Sequence, residues 1–157
     1  MCALLRLFSR KPLFSDGEID LVLSNEDVSD RECGILDGYT FYLYQAKTRN
    51  YMGYVSLRLG ESPALYYLGH IGYRVEEKYR GHGYAEKACR MILPFMQQLG
   101  LRFVVITTNV ENVPSRKTCE RLGCTLERIA PVPCQYQPVC MGATRKCRYI
   151  WRILPRA

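Results

Sequence analysis

The chain has 157 residues, a length that fits one compact domain, and 48% of them are hydrophobic, as in ordinary globular proteins. No stretch reaches the roughly 18 consecutive apolar residues that indicate a membrane-spanning helix. Residues 1–8 are apolar but short, are interrupted by Arg6 and precede no cleavage motif of small residues, so no signal peptide is expected. We therefore expect a cytoplasmic protein that does not associate with membranes.

The formal net charge of +7 fits a polyanionic partner, such as a phosphate-rich cofactor, as well as a solvated basic surface. The basic residues are spread along the chain, and no zinc-finger, helix-turn-helix or aromatic RNA-binding motif is present. The sequence therefore gives no support to a nucleic-acid partner.

Eight cysteines could form a disulfide framework, but the chain is long for a disulfide-stabilised mini-domain and has no secretory signal. We expect reduced thiols that pack as small hydrophobic side chains. There is no Cys-x-x-Cys pair, and the spacing of Cys134, Cys140 and Cys147 fits known zinc sites poorly. No metal site is predicted.

The first half of the chain consists of predicted strands separated by polar segments. Residues 1–17 have no clear pattern and are treated as a poorly defined N-terminal extension. Residues 25–38 are polar and rich in turn residues, which predicts a loop or one short helix. Alternating or aromatic, β-prone runs predict strands at residues 19–23, 39–45, 51–59 and 65–75.

The second half predicts two helices set between strands. Apolar residues recur at i, i+3, i+4 and i+7 over residues 85–99, which indicates an amphipathic helix that Pro94 should kink. A second helix is predicted from Asn112, a suitable N-cap, to Gly123, a suitable C-terminal residue. Strands are predicted at residues 103–107, 125–129 and 147–154.

This order of elements predicts an α/β (α+β) fold. Several antiparallel strands come first, a strand–helix–strand–helix unit follows, and two strands close the chain. We expect a mixed, mostly antiparallel twisted sheet of about six to seven strands with helices on both faces. No repeat or linker divides the sequence, so residues 1–157 are predicted to form a single domain.

The segment Arg80-Gly-His-Gly-Tyr-Ala85 lies between a predicted strand and the start of a predicted helix. The first turn of a helix offers unpaired N–H groups and the positive end of the helix dipole. Glycines let that backbone approach a bulky anion closely. The segment therefore predicts a pyrophosphate site, whereas the glycine spacings of dinucleotide-binding and P-loop motifs are absent.

Three segments together resemble GNAT acetyltransferases. Arg80-Gly-His-Gly-Tyr-Ala85 is similar to the acetyl-CoA signature Arg/Gln-x-x-Gly-x-Gly/Ala of that family. Gly69-His-Ile-Gly-Tyr-Arg-Val75 resembles the GNAT strand that binds the pantetheine arm, and residues 112–124 resemble the second conserved block. The resemblance implies a GNAT fold and acetyl transfer from acetyl-CoA to a primary amine of a small molecule or peptide. A ribosomal-protein-type N-terminal acetyltransferase and a non-catalytic CoA-binding module are the alternatives.

The resemblance also implies roles for individual residues. On the pantetheine strand, the backbone N–H of Val75 would polarise the thioester carbonyl. Asn112 would contact the pantetheine or the substrate, or would only cap its helix. The implied cofactor-binding residues are Tyr73, Val75, Arg80, Gly81, His82, Gly83, Tyr84, Ala85, Asn112, Ser115 and Arg116.

Two catalytic roles are assigned less directly. His70 is the first candidate for the general base because an imidazole suits proton removal near neutrality, although it could equally be a structural histidine. Cys119 occupies the position where many GNAT enzymes carry a tyrosine acid, and a helix-packing role is the alternative. The rival groups are Glu76, Glu77 and Glu111 for the base, and water, Tyr84 or Tyr136 for the acid.

The segment at residues 25–38 departs from the family pattern. GNAT domains usually place two helices between their first two strands, and this segment has room for one short helix at most. We therefore expect an acceptor site that is unusually open, or that is completed by the N-terminal residues or by a second copy in a homodimer.

Overall fold

The computed structural model describes residues 11–155, which contain eight strands, three α-helices and three short 3-10 turns. Residues 1–10 of the predicted N-terminal extension, with Cys2, lie outside the described residues. The strands are β1 (Phe14–Ser15), β2 (Ile19–Leu23), β3 (Asp37–Gln45), β4 (Tyr51–Leu59), β5 (Ile71–Val75), β6 (Phe103–Asn109), β7 (Thr125–Pro131) and β8 (Arg145–Arg152). The helices are α1 (Pro63–Leu68), α2 (Tyr84–Gln98) and α3 (Val113–Arg121), and the 3-10 turns are Glu77–Tyr79, Cys134–Tyr136 and Pro138–Cys140.

All eight strands belong to one sheet in the order β1-β2-β3-β4-β5-β6-β8-β7. Among the described strands, only the neighbours β5 and β6 are parallel. A parallel pair needs a crossover connection, and α2 provides it. The predicted mixed, mostly antiparallel sheet is therefore confirmed. Its strand number exceeds the predicted six to seven because β1, with two residues, lies in a segment without pattern.

The prediction of one long strand over residues 65–75 is wrong. Residues 63–68 form α1, and the strand begins only at Ile71. Ser62 caps this helix through its hydroxyl, which accepts the N–H of Leu65 at 2.9 Å, and Pro63 occupies the first turn. These start signals outweigh the β-propensity of the tyrosines that follow, and Gly69 ends the helix with φ 81°.

A six-residue helix is not stable alone, and side chains of the sheet bind the C-terminal carbonyls of α1. The Thr107 hydroxyl donates to the carbonyls of Tyr67 and Leu68 at 2.8 and 2.9 Å. Arg148 donates to the carbonyl of Tyr66, and Arg58 donates to that of Gly69 at 3.1 Å. These bonds fix α1 against β4, β6 and β8.

The two faces of the sheet carry different elements. On β6, Val104 and Ile106 join the main core, which also contains buried residues of α2 and α3. Side chains alternate along a strand, so Thr107 points to the opposite face, where it meets α1. The prediction of helices on both faces is therefore confirmed.

The remaining elements follow the predicted order with small shifts at their ends. Helix α2 covers residues 84–98 and continues through Pro94. Between β2 and β3, the structure describes every residue from 24 to 36 and contains no helix there, only a short bridge between Asp30 and Ile35. No helix within residues 11–155 is long and apolar enough to cross a membrane.

Gly53 on β4 sets the position of β5. It has φ 146°, and a Cβ there would lie 2.0 Å from the backbone oxygen of Arg74 on β5.

We expect Gly53→Ala to lower the free energy of unfolding by roughly 3 kcal/mol, because the backbone of β5 would have to move. Gly142→Ala is the control, since Gly142 also has positive φ but open space around it, and it should cost about 1 kcal/mol. Urea unfolding measures both; equal losses would contradict the close approach of β4 and β5.

Candidate active site

Strand β5 pairs with β4 along its whole length but with β6 at one position. The β4–β5 register runs from Gly53–Val75 to Leu57–Ile71, whereas β5 and β6 share the single pair Ile71–Ile106 within the described strands. Beyond that pair the two parallel strands diverge. A gap therefore opens between β5 and β6 on the side where β5 ends.

The hydrogen bonds between β4 and β5 show which backbone groups face this gap. The N–H of Glu76 donates to the oxygen of Met52, and the N–H of Arg58 donates to the oxygen of His70. These bonds flank the pairs that contain Val75 and Ile71, so those pairs are of the non-hydrogen-bonded type. The two pair types alternate along the strands, so the pair that contains Tyr73 is also of this type. The N–H and C=O groups of Tyr73 and Val75 are consequently directed away from β4, into the gap.

At the end of β5 the chain turns into the loop that begins with Arg80. The Arg80 side chain folds back and donates from Nε to the Val75 carbonyl at 2.9 Å. The N–H of Val75 is therefore the gap-facing group nearest to the loop. This is the backbone donor that the resemblance assigns to the thioester carbonyl.

The loop itself leads into the N-terminus of α2. Gly81 and Gly83 have φ 83° and 74°, and a Cβ at either would meet no atom within 4 Å. Gly83 is the N-cap and offers no side chain, so the first-turn N–H groups of α2 have no side-chain cap. Positive φ, open space and uncapped N–H groups suit the loop to a bulky phosphate ligand.

Side chains from the β1–β2 turn hold the start of α2 in place. The Tyr84 hydroxyl donates to Glu18 at 2.9 Å. Lys87 forms ion pairs with Glu18 and, at 3.1 Å, with Asp16. The hydrogen bond from Lys87 lowers the pKa of Glu18 below its usual value. Tyr84 thus anchors the loop, and the His82 ring lies 5.8 Å from the Tyr84 ring.

Helix α3 borders the gap from the other side. Asn112 caps the helix, its side-chain oxygen accepting the N–H of Ser115 at 3.2 Å. The hydroxyls of Ser115 and Tyr73 are 2.8 Å apart, which ties α3 to β5. Arg116 donates to the Tyr149 hydroxyl at 3.2 Å and to the Val110 carbonyl at 3.3 Å. Its guanidinium therefore holds α3 to the sheet.

Cys119 is fully buried on α3. A hydrogen bond from the Cys124 thiol lowers the pKa of Cys119, and the same bond raises that of Cys124. Cys119 also interacts with the Tyr73 hydroxyl, and burial raises the pKa of Tyr73 above its usual value. Cys119, which stands where the family pattern has a tyrosine, is therefore next to Tyr73 of β5.

His70 lies just before β5, and both of its ring nitrogens are engaged. Nδ1 accepts the backbone N–H of Val105 at 2.9 Å, which leaves the proton of the neutral ring on Nε2. Nε2 lies 3.3 Å from a carboxylate oxygen of Glu61. The geometry joins His70 to Glu61, a residue that the sequence analysis did not single out because its partner lies on another element.

The other predicted candidates lie elsewhere. Glu76 is 3.9 Å from Arg74 at the end of β5, and Glu77 and Glu111 are exposed in turns. The Tyr136 ring stacks on Tyr67 at 5.5 Å, on the α1 face of the sheet. On β6, two residues beyond its pair with β5, the buried Thr108 hydroxyl has no hydrogen-bond partner among the described residues. Such an orphaned group beside the gap fits a site completed by a ligand.

Thiol accessibility tests this description of the helix. The seven cysteines that the structure describes are free; Cys134 is exposed, whereas Cys89 and Cys119 have no exposed surface. We expect iodoacetamide to label Cys134 first and to leave Cys89 and Cys119 unlabelled until the protein unfolds, since alkylation needs an accessible thiolate. Peptide mass spectrometry measures this order. Labelling of native Cys119 at the rate of Cys134 would show that its thiol reaches the gap.

Comparisons with known proteins agree with this geometry. The sequence profile of the Acetyltransferase (GNAT) domain matches residues 16–125, more than half of the chain. No curated protein matches the sequence significantly.

Three solved structures illustrate the likeness in fold. The ribosomal-protein-S5-alanine acetyltransferase from Vibrio fischeri is 20% identical with a TM-score of 0.59, over 74% of this chain and 62% of that one. A ribosomal L7/L12 alpha-N-protein acetyltransferase in complex with coenzyme A is 19% identical with a TM-score of 0.55, over 74% and 62%. An acetyltransferase from Agrobacterium tumefaciens is 16% identical with a TM-score of 0.62, over 92% and 96%. The chain thus spans about three fifths of the two ribosomal-protein enzymes and nearly all of the third.

The diverging β5–β6 pair, the glycine loop at the start of α2 and the profile match over residues 16–125 support one assignment. This chain belongs to the GNAT acetyltransferase family.

Proposed function

We propose that this protein transfers an acetyl group from acetyl-CoA to a primary amine. The observation that carries the proposal is the set of backbone groups on β5 that face the gap, next to the uncapped N-terminus of α2. Acetyl-CoA supplies the acetyl group in activated form, as a thioester. In our assignment, residues 80–85 bind the pyrophosphate, and Tyr73 and Val75 bind the pantetheine arm through their backbone.

The reaction develops negative charge on the thioester carbonyl oxygen. A backbone N–H that is already aligned stabilises such charge without reorganisation. We assign this role to the N–H of Val75, which faces the gap. Arg80 holds the carbonyl of the same residue through its Nε. Asn112 and Ser115 support the same region by fixing the start of α3.

The departing thiolate needs a hydrogen-bond donor. Cys119 is fully buried, whereas the partly buried Tyr73 hydroxyl lies between Cys119 and Ser115. Because burial raises its pKa, the Tyr73 phenol keeps its proton at neutral pH. We propose that Tyr73 takes the place of the tyrosine that α3 lacks, and that Cys119 packs beneath it.

The acceptor amine must lose a proton before it attacks. Nδ1 of His70 accepts the Val105 N–H, and Nε2 faces Glu61. We propose that the Glu61 carboxylate takes up this proton, and that His70 is a positioning residue that orients the carboxylate by donating its Nε2–H. A neutral ring held in this way has no free lone pair to act as the base itself.

A protein α-amine is the second candidate acceptor. Two of the structural neighbours act on ribosomal proteins, as their names state. The segment between β2 and β3 contains no helix at residues 24–36, all of which are described, so this segment places no helix over the site. An open side leaves room for a polypeptide chain.

Acetyl-CoA binding tests the proposal at its foundation. We expect Gly83→Glu to abolish binding or to weaken it at least about 30-fold, because a carboxylate at the helix N-terminus repels the pyrophosphate and blocks the close approach. Calorimetry measures the dissociation constant. The control is Gly123→Glu, which has the same open space and a similar φ of 81° but follows α3. No binding by the native protein would contradict the proposal, and binding without transfer to any amine would favour a non-catalytic module.

Two substitutions test the donor to the thiolate. We expect Tyr73→Phe to lower kcat roughly 100- to 1,000-fold with little change in KM for acetyl-CoA, in the range expected for one hydrogen-bond donor to a developing negative charge. Cys119→Ala should leave kcat within about threefold if its role is packing. Steady-state kinetics with a saturating amine measures both. A large loss in Cys119→Ala with none in Tyr73→Phe would return the acid role to the cysteine.

A further inference from the structure

Helix α3 ends in a Schellman motif, in which N–H groups just beyond a helix bond back to carbonyls of its last turn. The N–H of Gly123 donates to the carbonyl of Glu120 at 3.0 Å, and the N–H of Cys124 donates to that of Cys119, also at 3.0 Å. Gly123 has φ 81° and supplies the left-handed residue that the motif requires. These two hydrogen bonds fix the backbone of Cys124 against that of Cys119.

The motif also brings the side chains of these two residues together. A hydrophobic contact between the corresponding positions often accompanies a Schellman motif. In this chain both positions hold cysteine, and both thiols are free. The Cys124 thiol forms a hydrogen bond with the Cys119 sulfur. The end of α3 therefore holds two reduced sulfurs in contact, which is the arrangement from which a disulfide forms.

The two thiols differ in their access to solvent. Cys119 has no exposed surface, whereas Cys124 is partly exposed at the end of the helix. The hydrogen bond from Cys124 lowers the pKa of Cys119, so the pair gives up one proton more readily than an isolated buried thiol does. The thiolate is the form that reacts with oxidants. A small oxidant can therefore meet the pair at Cys124, while Cys119 is shielded until it reacts with its neighbour.

Two other thiols compete with this pair for an oxidant or for a partner. Cys134 is exposed and interacts with Gln137, and Cys89 is fully buried on α2. Cys89 influences the pKa of Cys124 through its charge only. Within residues 11–155, neither Cys89 nor Cys134 forms a hydrogen bond with another sulfur. Contact and partial exposure are thus combined at the end of α3.

We propose that a peroxide converts Cys119 and Cys124 into a reversible disulfide, and that this bond slows acetyl transfer. Once the pair has lost a proton, the Cys124 proton moves to Cys119 along their hydrogen bond. The Cys124 thiolate then attacks one oxygen of hydrogen peroxide, which gives a sulfenic acid and releases hydroxide. The Cys119 sulfur attacks the Cys124 sulfur and displaces its hydroxyl group as water. Two thiols and one hydrogen peroxide thus give one disulfide and two water molecules, and a dithiol reverses the change by exchange.

The disulfide acts on catalysis through Tyr73. The inference rests here on the proposed function, in which the Tyr73 hydroxyl donates to the departing thiolate. The same hydroxyl interacts with the Cys119 sulfur. A disulfide sets its two sulfurs about 2.05 Å apart, which is closer than any hydrogen bond, and removes both thiol hydrogens. Cys119 is thereby drawn towards Cys124, and the Tyr73 phenol loses a contact that positions it.

Peptide mapping tests the disulfide directly, whether or not the protein is active. Trypsin cleaves after Arg121, so Cys119 and Cys124 fall in different peptides, residues 118–121 and 122–128. The full chain is treated with hydrogen peroxide, alkylated while denatured and digested without reductant. We expect the two peptides to be joined, and dithiothreitol to separate them. Separate peptides after peroxide, or a joined pair that contains Cys89 or Cys134 instead, would overturn the inference.

Kinetics tests the effect on acetyl transfer. We expect peroxide to lower kcat at least about tenfold, because a small displacement of a catalytic group is costly, and dithiothreitol to restore it. Cys124→Ser should keep the activity of the reduced protein and lose the sensitivity to peroxide. Cys134→Ser is the matched control, since it removes the exposed thiol and should remain as sensitive as the native protein. Protection by Cys134→Ser and none by Cys124→Ser would assign the effect to the wrong thiol for this inference.

The two measurements separate this inference from the proposed function. Joined peptides with an unchanged kcat would overturn the effect of the disulfide on catalysis. Native protein that binds no acetyl-CoA would refute the proposed function, and the peptide map would still decide whether the disulfide forms.

Discussion

The divergence of β5 from β6 is the constraint on which the rest of the structure depends. A central strand normally has partners on both edges, because buried N–H and C=O groups need hydrogen bonds. Here β5 is paired fully with β4 and only at Ile71 with β6. The strand can keep this half-paired state because other contacts hold it: Gly53 lets β4 approach closely, Ser115 bonds the Tyr73 hydroxyl, and Arg80 binds the Val75 carbonyl.

The same divergence gives the site its direction. Helix α2 begins shortly after the open end of the gap, so its positive end and its uncapped N–H groups lie beside the exposed edge of β5. His70 lies at the other end of the gap, where β5 pairs with β6 at Ile71. Its ring forms hydrogen bonds with the Val105 N–H and with Glu61. The open end therefore suits a ligand with a phosphate group and a long flexible arm.

Much of this architecture could be predicted from local patterns, and the failures have physical causes. The 3.6-residue repeat of α2 and the alternation in β4 come from one-sided burial, which leaves a trace in the sequence. Helix α1 is less evident in the sequence, because the side chains that stabilise it are distant in the chain. They are Arg58, Thr107 and Arg148. The glycine loop was predictable because backbone conformation demands glycine there. The pairing of His70 with Glu61 depends on tertiary structure, which a single sequence does not contain.

The proposed exchange of roles between α3 and β5 rests on the packing of three side chains. Side chains from both elements converge at one point, where Tyr73, Ser115 and Cys119 meet. Because the core is close-packed, the small side chain at position 119 leaves room for the phenol that comes from the strand. A small residue at position 119 is therefore the steric condition for a tyrosine at position 73. In the proposed mechanism the donor to the thiolate therefore comes from β5, and Cys119 packs beneath it.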